Sequence, residues 1–341
     1  MPQQDSPVEN GKPLQGTWTT PFENTDLLAI KRPYRAPLPK WILNLRIKEW
    51  QTFTARNDDM RLEAVIADMK FFCCAEVTFW DNEKKEMMHV FRMLPFPAWK
   101  MPQSLRDSVV EHDGAGFSFR VHDFIDSRKA VLDINIASAI ERPVFTASLE
   151  FDLDVSKTTP LAVNMLIAEN RSMYVYKDFS AVEGSIVWGD RRFTLDKGTT
   201  GGLFQDVKGF IPYRSRYFCC RSLGFDAKGR RFAFSLGEHI TRKFNVNNEN
   251  ALWLEGALTA LPPVRIVIYE HGESVIQDLE GMVDLTFRQA EDAVAPFDLL
   301  FISMEHKNAI GLFNGMLMTD DGEKLPVRNM PGTVECFDFR L

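Results

Sequence analysis

Phe145-Thr-Ala-Ser-Leu149-Glu-Phe151-Asp-Leu153-Asp-Val155 decides the fold class. Every odd position is apolar or small and every even one polar, the period of two that sets one face of a strand in a core and the other in water. Wound as a helix, the same residues would stack Leu149 over Asp152 and Phe151 over Asp154, so no apolar stripe would form.

The pattern recurs along the chain. Phe117, Phe119 and Val121 alternate with Ser118, Arg120 and His122, and Leu132, Ile134 and Ile136 with Asp133 and Asn135. Phe232-Ala-Phe234-Ser-Leu236 and Val283-Asp-Leu285-Thr-Phe287 repeat it, and Val264 to Tyr269 reads as a more buried strand. Asp81-Asn82, Asp113-Gly114, Gly189-Asp190, Asp226 to Gly229 and Asp321-Gly322 supply the backbone angles of tight reversals between them. Strand, turn, strand is the recurring unit, and the chain reads as all-β, antiparallel, with few short helices. One such helix is expected after Ser104.

The chain has 341 residues, which at roughly 150 per domain implies two. Residues 1–20 read as a flexible N-terminal tail. The polar stretch Ser156-Lys157-Thr158-Thr159-Pro160 is the expected hinge, dividing 21–158 from 159–341. Phe71-Phe72-Cys73-Cys74 before Trp80-Asp81 is echoed by Tyr217-Phe218-Cys219-Cys220 before Phe225-Asp226, each a strand running into a turn.

Lys plus Arg number 40 against 47 Asp plus Glu, a net charge of -7 that disfavours nucleic acid as a partner. No leader-like start and no apolar run long enough to span a membrane is present, so a cytoplasmic protein is expected. The cysteines at 73, 74, 219, 220 and 336 lack metal-ligand spacing and read as small buried apolar residues, so neither metal nor cofactor is expected.

Phosphate-loop, dinucleotide, zinc-helix and nucleophile-elbow motifs are all lacking. Two segments break the alternation and set polar groups beside aromatics, as a ligand pocket requires. In Gln205 to Arg216, Asp206 is a candidate acid or base, with Tyr213 and Arg216 as orienting groups; an Asp–Arg pair pinning a loop is the alternative. The second segment runs from Glu238-His239 to Asn248-Glu249-Asn250-Ala-Leu-Trp253. Glu238 and Glu249 are candidate proton-transfer groups, and His239, Asn248, Asn250 and Trp253 candidate ligand contacts. A hydrogen-bonded corner between strands is the alternative.

Read in order with Leu45 to Trp50, Val65 to Asp68, Val182-Glu-Gly184, Gly311 to Gly315, Asp320 to Glu323 and Pro331 to Glu335, these segments resemble the family catalogued as domain of unknown function 2804. That family is distantly similar to lipocalin-like proteins that include carotenoid hydratase and tocopherol cyclase. The resemblance implies two tandem lipocalin-like, or calycin-like, antiparallel β-barrels or sandwiches, and an apolar small molecule or lipid as ligand.

Three functions follow. Phe-rich strands without a catalytic signature point first to binding or carrying a lipid-like or isoprenoid-like molecule. An acid–base hydratase, cyclase or isomerase on an apolar substrate is the first alternative, and needs a carboxyl group facing an apolar cavity. A protein interaction module with solid cores is the second.

Overall fold

The computed structural model describes residues 5–95, 97–140, 142–154, 157–238, 247–299 and 302–340. The architecture is all-β, with two curled, lipocalin-like antiparallel sheets. In the first, hydrogen-bonded order runs Glu86–Pro95, Phe72–Asp81, Met60–Asp68, Lys48–Arg56, Gly201–Gly209, Arg171–Trp188, Phe145–Asp152, Lys129–Ile136, Phe117–Phe124 and Ser108–Gly114. Leu161–Ala168 and Arg191–Leu195 pair with the two halves of the long strand Arg171–Trp188. The second sheet runs Ala257–Ala260, Ala251–Leu254, Arg231–Glu238, Arg214–Phe225, Lys324–Arg340, Ile302–Met318, Val283–Leu299, Glu273–Asp278 and Val264–Ile268.

The stretches read as strands from alternation are strands, and the reversals at 82–85, 189–190, 226–229 and 320–322 join neighbours in the sheets. Phe72 to Cys74 and Tyr217 to Cys220 of the echoed segments lie in strands that enter hairpins, and Phe71 sits at the turn just before the first. Four of the five cysteines are buried in strands.

Three expectations require correction. The strands from Leu161 to Gly209 hydrogen-bond into the first sheet, so the change of sheet falls between Gly209 and Arg214, well beyond the polar stretch 156–160. The tail expected over 1–20 is tied down from residue 5 onward. Gly16–Trp18 pairs with Ala162, Val163 and Asn164; the Asn164 amide donates to the Pro7 and Leu14 carbonyls; and Trp18 is buried against Phe22. A buried indole and two satisfied carbonyls outweigh the polar composition that suggested a tail. The short α-helix lies at Lys40–Arg46 behind Pro39, whereas the residues after Ser104 lead into a strand.

Each sheet wraps its own core. In the first, Phe53, Phe79, Phe119, Phe145, Phe151 and Phe204 meet; in the second, Phe232, Phe234, Phe287 and Phe313. A third apolar layer joins the sheets, formed by residues of opposite parity on the same strands, among them Trp50, Cys74, Met173, Val175, Val207, Met304 and Phe339. Strand Gly201–Gly209 is therefore buried at every position. Alternation vanishes because both faces are interior.

Gly184 marks where Arg171–Trp188 changes partners from Gly201–Gly209 to Arg191–Leu195. Its φ is +141°, and an added Cβ would overlap the Ser148 carbonyl. Gly184→Ala should cost on the order of 1–3 kcal/mol, seen as a lower urea midpoint at unchanged slope.

Candidate functional site

The joining layer is not filled throughout. A small cleft, with a cavity volume of about 20 Å³, is lined by Trp50, Val175, Gln205, Ile211, Phe337 and Phe339, with Tyr217 and Glu249 at its polar end. A second, of about 30 Å³, shares Trp50, Phe337 and Phe339 and ends at Glu76 and His306. Aromatic walls thus stand between two polar ends.

Glu249 precedes strand Ala251–Leu254 and is 1% exposed. The Tyr217 hydroxyl donates to its Oε1, and the Lys177 ammonium stands 2.8 Å from its Oε2. Lys177 also donates to Ser235 Oγ at 2.9 Å and to the Glu249 carbonyl at 3.0 Å. Burial and the adjacent Glu249 push the Tyr217 phenol well above its ordinary range, so its proton stays on oxygen. A tyrosine from one strand, a lysine from the other sheet and a carboxylate from a loop form a hydrogen-bonded, charge-paired group at the edge of an apolar space.

At the far end, His306 lies between two carboxylates, with Nδ1 2.7 Å from Glu76 and Nε2 3.1 Å from Glu335. Burial opposes its charge, but the two glutamates outweigh it and raise its pKa to about 10. Its ring stacks on Phe337 at 4.1 Å. Glu335 also meets Arg221 at 2.6 Å, and the neighbouring Glu63 takes Arg61 at 3.2 Å and Asn308 at 2.9 Å. This layer of charge crosses from sheet to sheet.

The candidates drawn from the sequence do not converge. Glu249 alone lines the cleft. Asp206 lies on the opposite face of its strand, inside the first sheet's core, paired in register with Gln51 and Tyr176. Glu238 accepts the Ile266 amide and pairs with Arg265, pinning Val264–Ile268. Asn250 accepts from Gly237 N–H and donates to the Pro262 carbonyl, and Asn248 accepts the Asn250 amide. Trp253 is fully buried and donates to the Thr159 carbonyl. Tyr213 is 42% exposed, and Arg216 lies over the Phe218 ring on the surface. His239 lies outside the described residues. Sequence reading missed Tyr217, Lys177 and His306. A lysine inside the run Met173-Tyr-Val-Tyr-Lys-Asp-Phe179 was a usable signal, since such a run is costly to charge without a partner.

A family described as Domain of unknown function (DUF2804) matches residues 3–340. The chain belongs to this family. Two solved structures share the DUF2804 chain's arrangement at low identity. The crystal structure of CghA with Sch210972 superposes with a TM-score of 0.54 at 11% identity, covering 86% of this chain and 88% of that one. Kievitone hydratase from Nectria haematococca gives 0.53 at 9% identity, covering 85% and 88%. At these identities the likeness establishes the fold. No curated protein matches the sequence. Among the described residues, no helix is long and apolar enough to cross a membrane.

Two measurements test the electrostatics. Replacing Glu335 by Gln leaves Arg221 and His306 short of a buried anion and should cost about 3–5 kcal/mol in urea unfolding. Within the first core, burial raises Asp206 from 3.8 to about 6, and Asp123, hydrogen-bonded to Gln51 at 2.8 Å, to about 7. Because the folded pKa is raised, the stability tied to Asp206 is complete below pH 3.8 and is lost as pH rises through about 6. Asp206→Asn should therefore gain on wild type by up to about 3 kcal/mol between pH 4 and pH 8, a shift of roughly two units at 1.36 kcal/mol each. A pH-independent difference would show that Asp206 is ionised in the core.

Proposed function

We propose that this protein is an acid–base enzyme that hydrates, cyclises or isomerises an apolar small molecule in the cleft between its sheets. The observation that carries the reading is the Tyr217–Glu249–Lys177 group at the polar end of aromatic walls. Catalytic carboxylates and phenols work where water is sparse and a partner fixes their protonation state.

In the hydration form, the Tyr217 hydroxyl delivers its proton to one carbon of a polarised double bond. Water bonds through oxygen to the other carbon, and its released proton passes to Glu249. The short hydrogen bond then returns that proton to Tyr217, so water is added and the enzyme is regenerated. The Lys177 ammonium offsets the negative charge that grows on the pair as the proton moves. Trp50, Phe337 and Phe339 hold the apolar body of the substrate and give electron-rich faces to developing positive charge. The fold is shared with a protein named as a hydratase and with CghA, crystallised with Sch210972, which supports a small-molecule site on this scaffold.

Carriage of the same class of molecule is the second reading, favoured by the apolar walls themselves. The two separate on turnover. Wild type incubated with isoprenoid olefins in ¹⁸O-water should place label in product. Tyr217→Phe and Glu249→Gln should lower that rate by about a hundredfold or more while still binding the apolar dye anilinonaphthalene sulfonate. An apolar molecule recovered unchanged by native mass spectrometry, with both variants binding as wild type and no label incorporated, would assign the cleft to carriage.

A further inference from the structure

Residues 31–48 hold Lys31, Arg32, Arg35, Lys40, Arg46 and Lys48 and no Asp or Glu, in a chain whose net charge is -7. Lys48 is buried, with its ammonium on the Leu45 and Met69 carbonyls. Lys31, Arg32, Arg35 and Lys40 are exposed, and Arg35 shares its charge with exposed Glu169 at 2.9 Å. The helix Lys40–Arg46 inside this stretch turns Leu43 inward and leaves Trp41 68% exposed. Water is a poor place for an indole of that exposure.

The patch is continuous with the cleft. The Lys48 ammonium that caps the helix end lies 4.6 Å over the ring of Phe71, itself 39% exposed at the turn before Phe72–Asp81. Arg46 reaches the carbonyl of Ile211, whose side chain lines the cleft, and exposed Tyr213 follows two residues on. Cations and exposed aromatic rings thus share one surface beside an apolar space.

We propose that this surface docks on an anionic lipid bilayer, so that the cleft takes its apolar ligand from the membrane; the second clause rests on the function proposed above, the first does not. Basic side chains near an acidic leaflet gain attraction that decays within a Debye length, and Trp and Tyr settle at the headgroup level. A net-negative protein is repelled by such a leaflet unless it presents one basic face, which orients the approach. Molecules suited to the aromatic walls of the cleft partition strongly into lipid, so a site fed from the bilayer avoids their low aqueous concentration.

Co-sedimentation of the full chain with phosphatidylcholine vesicles, and with vesicles also containing phosphatidylglycerol, tests the docking. Binding should be on the order of tenfold stronger to the mixed vesicles at low salt and should fall as salt rises. The double substitution Arg32→Glu with Lys40→Glu should weaken it by tenfold or more on the same scale. Trp41→Ser should weaken it and remove the blue shift of tryptophan emission. All three positions are exposed, so urea midpoints and dye binding in the cleft should stay at wild-type values. No sedimentation at low salt, equal binding to both vesicles, or indifference to all these substitutions would overturn the proposal, as would binding to heparin without binding to vesicles. Glu249→Gln should sediment like wild type, so loss of turnover and loss of docking are read independently.

Discussion

Strands that are interior on both faces govern this structure. Lys48–Arg56, Met60–Asp68, Phe72–Asp81 and Gly201–Gly209 give one parity of side chains to the first core and the other to the layer shared with the second sheet. Such strands have no face on which a polar group reaches water, so every charge on them must find a partner within the protein. Glu76 takes His306, Glu63 accepts from Asn308 and Arg61 donates to Thr333, all from the other sheet, for this reason. The matched layer favours one register of sheet on sheet, since a slip along a strand would leave charges facing hydrocarbon. The cleft lies in that same layer, where Trp50, Phe337 and Phe339 hold the sheets apart.

The same constraint explains what could be read from the sequence. Strands with one wet face, such as Phe145–Asp152 and Phe117–Phe124, carry the alternation that identifies them. Gly201–Gly209 carries none, because Gln205 and Val207 face the second sheet while Phe204 and Asp206 face the first core. Loss of period marked a doubly covered strand as much as a pocket, and composition alone does not separate the two. His306 was hidden differently. In Glu305-His-Lys307-Asn308, buried and exposed positions are all polar, so the period persists in burial and is absent from hydropathy.

The acids divide by face. Asp206 and Glu249 both lie at buried positions near aromatics, and residue type gave no reason to prefer either. Asp206 belongs to a closed core that also holds Gln51, Asp123, Tyr174 and Tyr176, with buried Lys208 nearby, and there burial holds its carboxyl toward the neutral form. Glu249 borders the small apolar cleft between the sheets and faces a phenol and an ammonium. A difference of one residue in parity, Gln205 against Asp206, decides whether a side chain meets the cleft or the core.

Both polar ends of the cleft are built across sheets, Tyr217 and Glu249 against Lys177 at one and His306 and Glu335 against Glu76 at the other. A shift of one sheet against the other would therefore disturb the Tyr217–Glu249–Lys177 group and the charge layer together. Separating the sheets would expose Trp50 and Phe337 and strand the Lys177 and His306 charges at once, a cost that grows with each partner lost. The cross-sheet partners thus fix the spacing of the polar groups on either side of Trp50, Phe337 and Phe339.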